Sequence, residues 1–133
     1  MIARLVFTAL LFVPLFVLAD EKPKKEKVTG TIVFQGEGKF DADTIATVKL
    51  SDVSLQDVAS VTIAEQKIKD LKKFPIAFEV EFDPAKIQPG HDYAIQVRIE
   101  TKGKLNYIND TRITVISNGT STKDVKAPVI AVK

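Results

Sequence analysis

Ile87-Gln88-Pro89-Gly90-His91-Asp92-Tyr93-Ala94-Ile95-Gln96-Val97-Arg98-Ile99-Glu100 decides the fold. A Pro-Gly turn is followed by a tyrosine that opens an alternating run. Tyr93, Ile95, Val97 and Ile99 have one parity, and Ala94, Gln96, Arg98 and Glu100 the other. A period of two gives a strand one apolar and one wet face, the pattern of an antiparallel sheet covered on one side. A tyrosine in this place marks the corner where a Greek-key chain passes between sheets. Its ring fills the core, and its hydroxyl bonds to backbone a few residues upstream. Tyr93 is therefore read as a structural corner residue.

The same rhythm extends in both directions. Val28, Gly30, Ile32 and Phe34 alternate, as do Ala46, Val48 and Leu50, and then Ile76, Phe78, Val80 and Phe82. Leu105, Tyr107, Ile113 and Val115 share a parity within residues 105–116, and 61–68 and 125–132 read as further strands. Between them lie turn signals: Gly36-Glu37-Gly38, the polar stretch 51–60, Asp83-Pro84, Thr101-Lys102-Gly103-Lys104 and Asn118-Gly119. A weaker helical spacing covers residues 64–73 and ranks below the strand reading. Short strands separated by such turns predict an all-β, antiparallel Greek-key β-sandwich of about seven to eight strands.

Residues 1–19 stand outside that rhythm. Arg4 supplies a charged start, residues 5–18 are almost wholly apolar, and Val17-Leu18-Ala19 offers a cleavage site. This is the pattern of a secretory signal peptide, and a membrane span would need roughly 20 apolar residues. Cleavage after Ala19 would leave 114 of the 133 residues and take the net charge from +2 to +1, because Arg4 is the only charged residue removed. Residues 20–27 form a charged, flexible leader, and 28–133 form one β-sandwich domain. The expected location is periplasmic or extracellular, with membrane contact only through the signal peptide before cleavage.

Composition narrows the function. A charge near zero and the lack of Trp argue against nucleic acid as a partner. With no Cys there is no disulfide, thiolate nucleophile or thiolate metal site, and no place for a lipid on a cysteine. His91 is the sole histidine, so zinc sites and Ser-His-Asp chemistry are poorly supplied; it reads as a solvent-facing turn residue. Glu79 and Glu81 stand two apart on one strand, within the span of a glycosidase pair. An exposed strand face, however, offers no burial to raise one pKa. Asp41, Asp43, Asp52 and Asp57 fit turn chemistry better than a calcium loop. Asn109-Asp110-Thr111 and Asn118-Gly119-Thr120 are sequons. No catalytic, metal or cofactor residues are expected.

From Thr31 to Ile116 the chain resembles the YbaY/YscW family of bacterial envelope proteins. The residues that carry the resemblance begin with Leu50-Ser51-Asp52-Val53-Ser54-Leu55 and Ala59-Ser60-Val61-Thr62-Ile63-Ala64-Glu65-Gln66. They continue with Phe74-Pro75-Ile76-Ala77-Phe78-Glu79-Val80 and Phe82-Asp83-Pro84-Ala85-Lys86-Ile87. Pro89, Tyr93-Ala94-Ile95, Arg98-Ile99 and Gly103-Lys104-Leu105 complete them. The resemblance implies a β-sandwich in the envelope, usually a lipoprotein. In one branch it implies a pilotin that guides a secretin ring in type III secretion. This sequence departs from that pattern at the anchor, having no Cys to lipidate. Glu65-Gln66 resembles a family hallmark and is read first as a bulge that hydrogen-bonds across a sheet edge.

The expectation is a non-enzymatic, protein-binding or assembly-assisting module whose partner is an envelope protein. Glu65, Gln66, Gln96 and Arg98 are its candidate contacts. The alternative is a small-ligand or glycan binder using the outward positions Gln96, Arg98 and Glu100.

Overall fold

The computed structural model describes residues 25–54, 59–116 and 122–132. The chain runs through β1 (Glu26–Val33), β2 (Thr44–Asp52), β3 (Val61–Ile68), β4 (Ile76–Phe82), β5 (Tyr93–Thr101), β6 (Lys104–Ile108), β7 (Ile113–Val115), β8 (Val125–Pro128) and β9 (Ile130–Ala131). Two sheets face each other. The smaller has the order β4-β1-β8. The larger has the order β3-β2-β5-β6-β9, with β7 on the same edge of β5 as β6. This is an all-β sandwich, with nine strands among the described residues.

Alternation becomes packing most directly in β4, where Ile76, Phe78, Val80 and Phe82 are buried and the residues between them are exposed. They meet Val28 and Ile32 from β1, and Val48, Leu50, Ile95, Val97 and Ile99 from the larger sheet, in one core. Burying each such side chain contributes roughly 1.5–3 kcal/mol. At Gly30 a Cβ would overlap the Val125 carbonyl oxygen and press on Phe78 Cζ at 2.9 Å, so only glycine lets β8 lie so close to β1.

Four features depart from the simple rhythm. First, β8 runs parallel to β1 in an otherwise antiparallel fold; alternation is the same for either direction and cannot report this. Second, residues 125–132 form two strands in different sheets, joined through Val129, whose amide donates to the Val33 carbonyl at 2.9 Å. Third, residues 105–116 are also two strands. The register shifts between Ile99 and Glu100, and the extra residue Asn106 sets Leu105 opposite Glu100 while Tyr107 stays opposite Ile99. Leu105 and Tyr107 therefore do not share a face. Fourth, β3 continues to Ile68 and Asp70 turns the chain at φ 57°, so no helix forms over residues 64–73.

Asn109 fills the gap between β6 and β7. Its Oδ1 accepts from the Val97 amide at 2.8 Å, and its Nδ2 donates to the Thr111 carbonyl at 2.9 Å. The side chain thus supplies ladder bonds that a strand residue would otherwise make. The β5–β6 turn has Lys102 at φ 51° and Gly103 at φ 83°, the positive pair that a type I′ hairpin demands.

Candidate functional site

The outer face of the larger sheet gathers most of the candidate contacts. Lys49 pairs with Glu65 on one side and Gln96 on the other, so these three form a row across β3, β2 and β5. The next row is Lys67, Thr47, Arg98, Ile108 and Ile130. Arg98 Nε donates to Glu100 Oε1 at 2.9 Å, both side chains being about a third exposed. The face therefore grades from charged at β3 to apolar at β9. Ile130 is 45% exposed and Val132 39%, and Val61 is the one other large hydrophobic so exposed among the described residues.

Gln66 does not belong to this face. It pairs with the inward position Val48, and its Oε1 accepts from the Glu79 amide at 2.7 Å. That bond spans from the edge of the larger sheet to β4 at the edge of the smaller. The register shift in β3 is nearby: Leu50 pairs with Ala64 and Ser51 with Thr62, leaving Ile63 as the extra residue.

The sandwich corner holds a polar cluster that the sequence did not announce. Gln88 N donates to Tyr93 Oη at 2.8 Å, and Tyr93 is buried. Beside it, His91 Nδ1 lies 2.6 Å from Asp52 Oδ2, so His91 is not a free turn residue. Ser54 donates to Asp52 Oδ1 through its hydroxyl at 2.6 Å and its amide at 2.9 Å. The Asp92 amide in turn donates to Ser54 Oγ at 2.7 Å. The Ser54 hydroxyl does most to hold the Asp52 carboxyl down to about 2, against partial burial that pushes it up; His91 and the Ser54 amide add to the lowering. Although Ser, His and Asp meet here, Asp52 is the middle member. The hydroxyl proton points at the carboxylate and not at the imidazole, which is not the order of a Ser-His-Asp triad. The arrangement clamps the end of β2 to the corner before β5.

Glu79 and Glu81 face outward on β4, about half exposed, with Lys27 Nζ 3.4 and 4.0 Å from them. Glu79 lines an open depression of about 680 Å³ over the smaller sheet, with Thr29, Thr31 and Lys126. The face is thus more concave than an outward strand suggests, though neither acid is buried. Among the described residues no three His, Cys, Asp or Glu side chains are grouped to hold a metal ion. Asp57 and Asn118 lie outside the described residues.

With this geometry in hand, comparison with known proteins is direct. Residues 23–126 match the profile of the type III secretion system lipoprotein chaperone family, YscW. The chain belongs to the YscW family. It is similar to the uncharacterized lipoprotein YbaY of Escherichia coli strain K12, with 31% identity over 110 residues, which is 80% of this chain. The chain spans 58% of that relative's length. It is also similar to a solved structure, an alternative pilotin from the type II secretion system of Vibrio cholerae. There the identity is 31% and the TM-score 0.76, over 83% of this chain and 99% of the other. These YscW-type relatives are described as chaperones, pilotins or lipoproteins, not as enzymes.

Sequence reasoning missed the Asp52–His91 pair and the ladder role of Asn109. The first joins residues 39 positions apart, beyond any local pattern. For Asn109 a signal was present, since an Asn followed by Asp110 and Thr111 breaks the apolar rhythm between Ile108 and Ile113.

Proposed function

We propose that this chain is a non-catalytic, exported envelope protein that acts as a protein-binding or assembly-assisting β-sandwich module. On this reading residues 1–19 are a signal peptide and a short charged leader follows; the expected leader of 20–27 is too long by two residues, because β1 of the working domain already begins at Glu26, with Glu26 and Lys27 paired to β4. The location is periplasmic or extracellular. Residues 1–133 hold no Cys to carry a lipid. Its partner is an envelope protein. A secretin-type component is the first candidate, because the relatives include a pilotin and a secretion-system chaperone.

The observation that carries the reading is the placement of exposed apolar surface. Ile130 and Val132 stand at the end of the edge segment containing β9, beside the mixed-charge rows of β3, β2 and β5. An unpaired strand edge with flanking apolar side chains is a surface on which another chain can add. A glycan reading finds less support, because among the described residues the strand partners of Gln96, Arg98 and Glu100 include no aromatic ring to stack a sugar.

Affinity capture from envelope extract should recover one specific protein with the wild-type chain and lose it with Ile130→Asp/Val132→Asp. Capture of nothing above background by the wild type, or equal capture by the double variant, would overturn this assignment.

A further inference from the structure

One buried side-chain polar atom among the described residues has no hydrogen-bond partner: Ser51 Oγ, in a residue only 3% exposed. Leaving a buried hydroxyl unpaired is costly, so a native chain that keeps one calls for an explanation. Ser51 does not point into the apolar core. It follows the inward Leu50, pairs with Ala94, and lines a cavity of about 220 Å³ on the outer face of the larger sheet. Ser51 and Ala94 give this cavity a floor of small residues. Gln96, Asp110, Thr111 and Arg112 stand around it. The 109–112 wall is held in place because Asn109 spends its amide on the Val97 and Thr111 backbone.

The lining chemistry selects its occupant. Ser51 and Thr111 hydroxyls and the Gln96 carboxamide can each donate and accept. Asp110 and Arg112 cancel in charge. None of the lining residues is aromatic. A carboxylate brings no donor and meets Asp110; an ammonium brings no acceptor and meets Arg112; a sugar finds no ring to stack on. A neutral group with a donor and an acceptor on adjacent atoms suits the polar walls, beside the apolar Val53 and Ile95. We propose that this cavity is a socket for a primary carboxamide, the side chain of an Asn or Gln on the partner protein, with Ser51 as its deepest contact. The proposal rests on the protein-docking reading above and adds the residue type that fixes the register of docking.

The probe is N-acetyl-L-glutamine methylamide, titrated into the isotope-labelled full chain and followed by amide NMR shifts, with the glutamate and norleucine analogues in parallel. The glutamine compound should give saturable shifts at Ser51, Ala94, Gln96 and Arg112, and the other two should not. Ser51→Ala should weaken the binding about tenfold. The same variant should raise the melting temperature of the free protein, because the unpaired hydroxyl is gone. Equal response to all three compounds, no saturable shift (a hydroxyl that holds only water), or unchanged affinity in Ser51→Ala would each overturn the socket. The two readings fail separately. Partner capture that survives Ser51→Ala removes the socket and leaves protein docking standing. Amide binding without any captured partner does the reverse.

Discussion

The two ends of the sandwich are closed by different physics. At the end where β2 begins, Phe34, Phe40, Phe74 and Tyr107 pack ring on ring, with centroids 5.0–6.1 Å apart and mostly edge to face. The polar element there is neutral: Thr44 shares a hydrogen bond with Thr101, which also accepts from Asn106 Nδ2. Where β2 finishes, Asp52, Ser54, His91 and the Tyr93 hydroxyl make the closure. Apolar closure depends on area and ring geometry and is indifferent to pH. The polar closure depends on a carboxylate remaining ionised. A Cys-free domain has no covalent staple at either end, so each cap is a separable contribution to stability.

The largest effect should come from the aromatic end. Phe74 meets all three other rings, and Gly38 abuts it so closely that a Cβ there would lie 2.5 Å from Phe74 Cε2. Phe74→Ala removes every one of those contacts and leaves a void, and should cost about 3 kcal/mol. Urea unfolding at two pH values, neutral and acid, should give the same loss at both. A loss that changes with pH would mean that the two ends are coupled, and the comparison would break.

The polar end should respond less, and only in one pH range. Asp52→Asn removes a carboxylate that accepts from Ser54 and lies against His91, at a cost of about 1.5 kcal/mol at neutral pH. The Asp52 carboxyl sits at about 2 in the folded chain against an ordinary value of 3.8. A lowered folded-state value stabilises the protein above the unfolded value, and that stability is lost as pH falls from about 4 toward 2. The stability gap between wild type and Asp52→Asn should therefore be full at pH 6 and shrink across that range. A gap that stays constant down to about pH 2 would show that the charge on Asp52 contributes nothing to the cap.

This contrast also explains what could be read in advance. Strand parity was legible because each strand needs only its own residues to show it: the seven residues of β4 alternate without exception. The corner at Tyr93 was legible because Pro89-Gly90 and the tyrosine are neighbours in sequence. Apart from Tyr93, both end caps escaped, since each brings together segments distant in sequence. Phe34 and Phe40 come from the β1–β2 connection, Phe74 from the β3–β4 connection and Tyr107 from β6, and no spacing links the three segments. The Leu105 parity failed for a different reason: a bulge inserts one residue and reverses every face beyond it, and nothing in an apolar-polar pattern distinguishes it from a shorter strand. Among the candidate contacts, Glu65, Gln96 and Arg98 share the outer face that alternation assigns, while Gln66 spans the seam because its carboxamide reaches the Glu79 amide.

The smallest effect tests whether the corner itself or the clamp beside it closes the polar end. Tyr93→Phe keeps the buried ring and its packing and removes only the hydroxyl that accepts from the Gln88 amide. Gln88 is exposed, so water can take over that amide and the full cost of an unpaired donor is not incurred. The loss should be about 0.5–1 kcal/mol, because a single neutral hydrogen bond is removed. Hydrogen exchange at Gln88 should quicken while that at Val53, whose amide donates to the Asp92 carbonyl at 2.8 Å, stays protected. If exchange at Val53 quickens as well, the corner holds the clamp in place. The polar end would then be one cooperative unit whose ionised and neutral bonds cannot be separated by single substitutions.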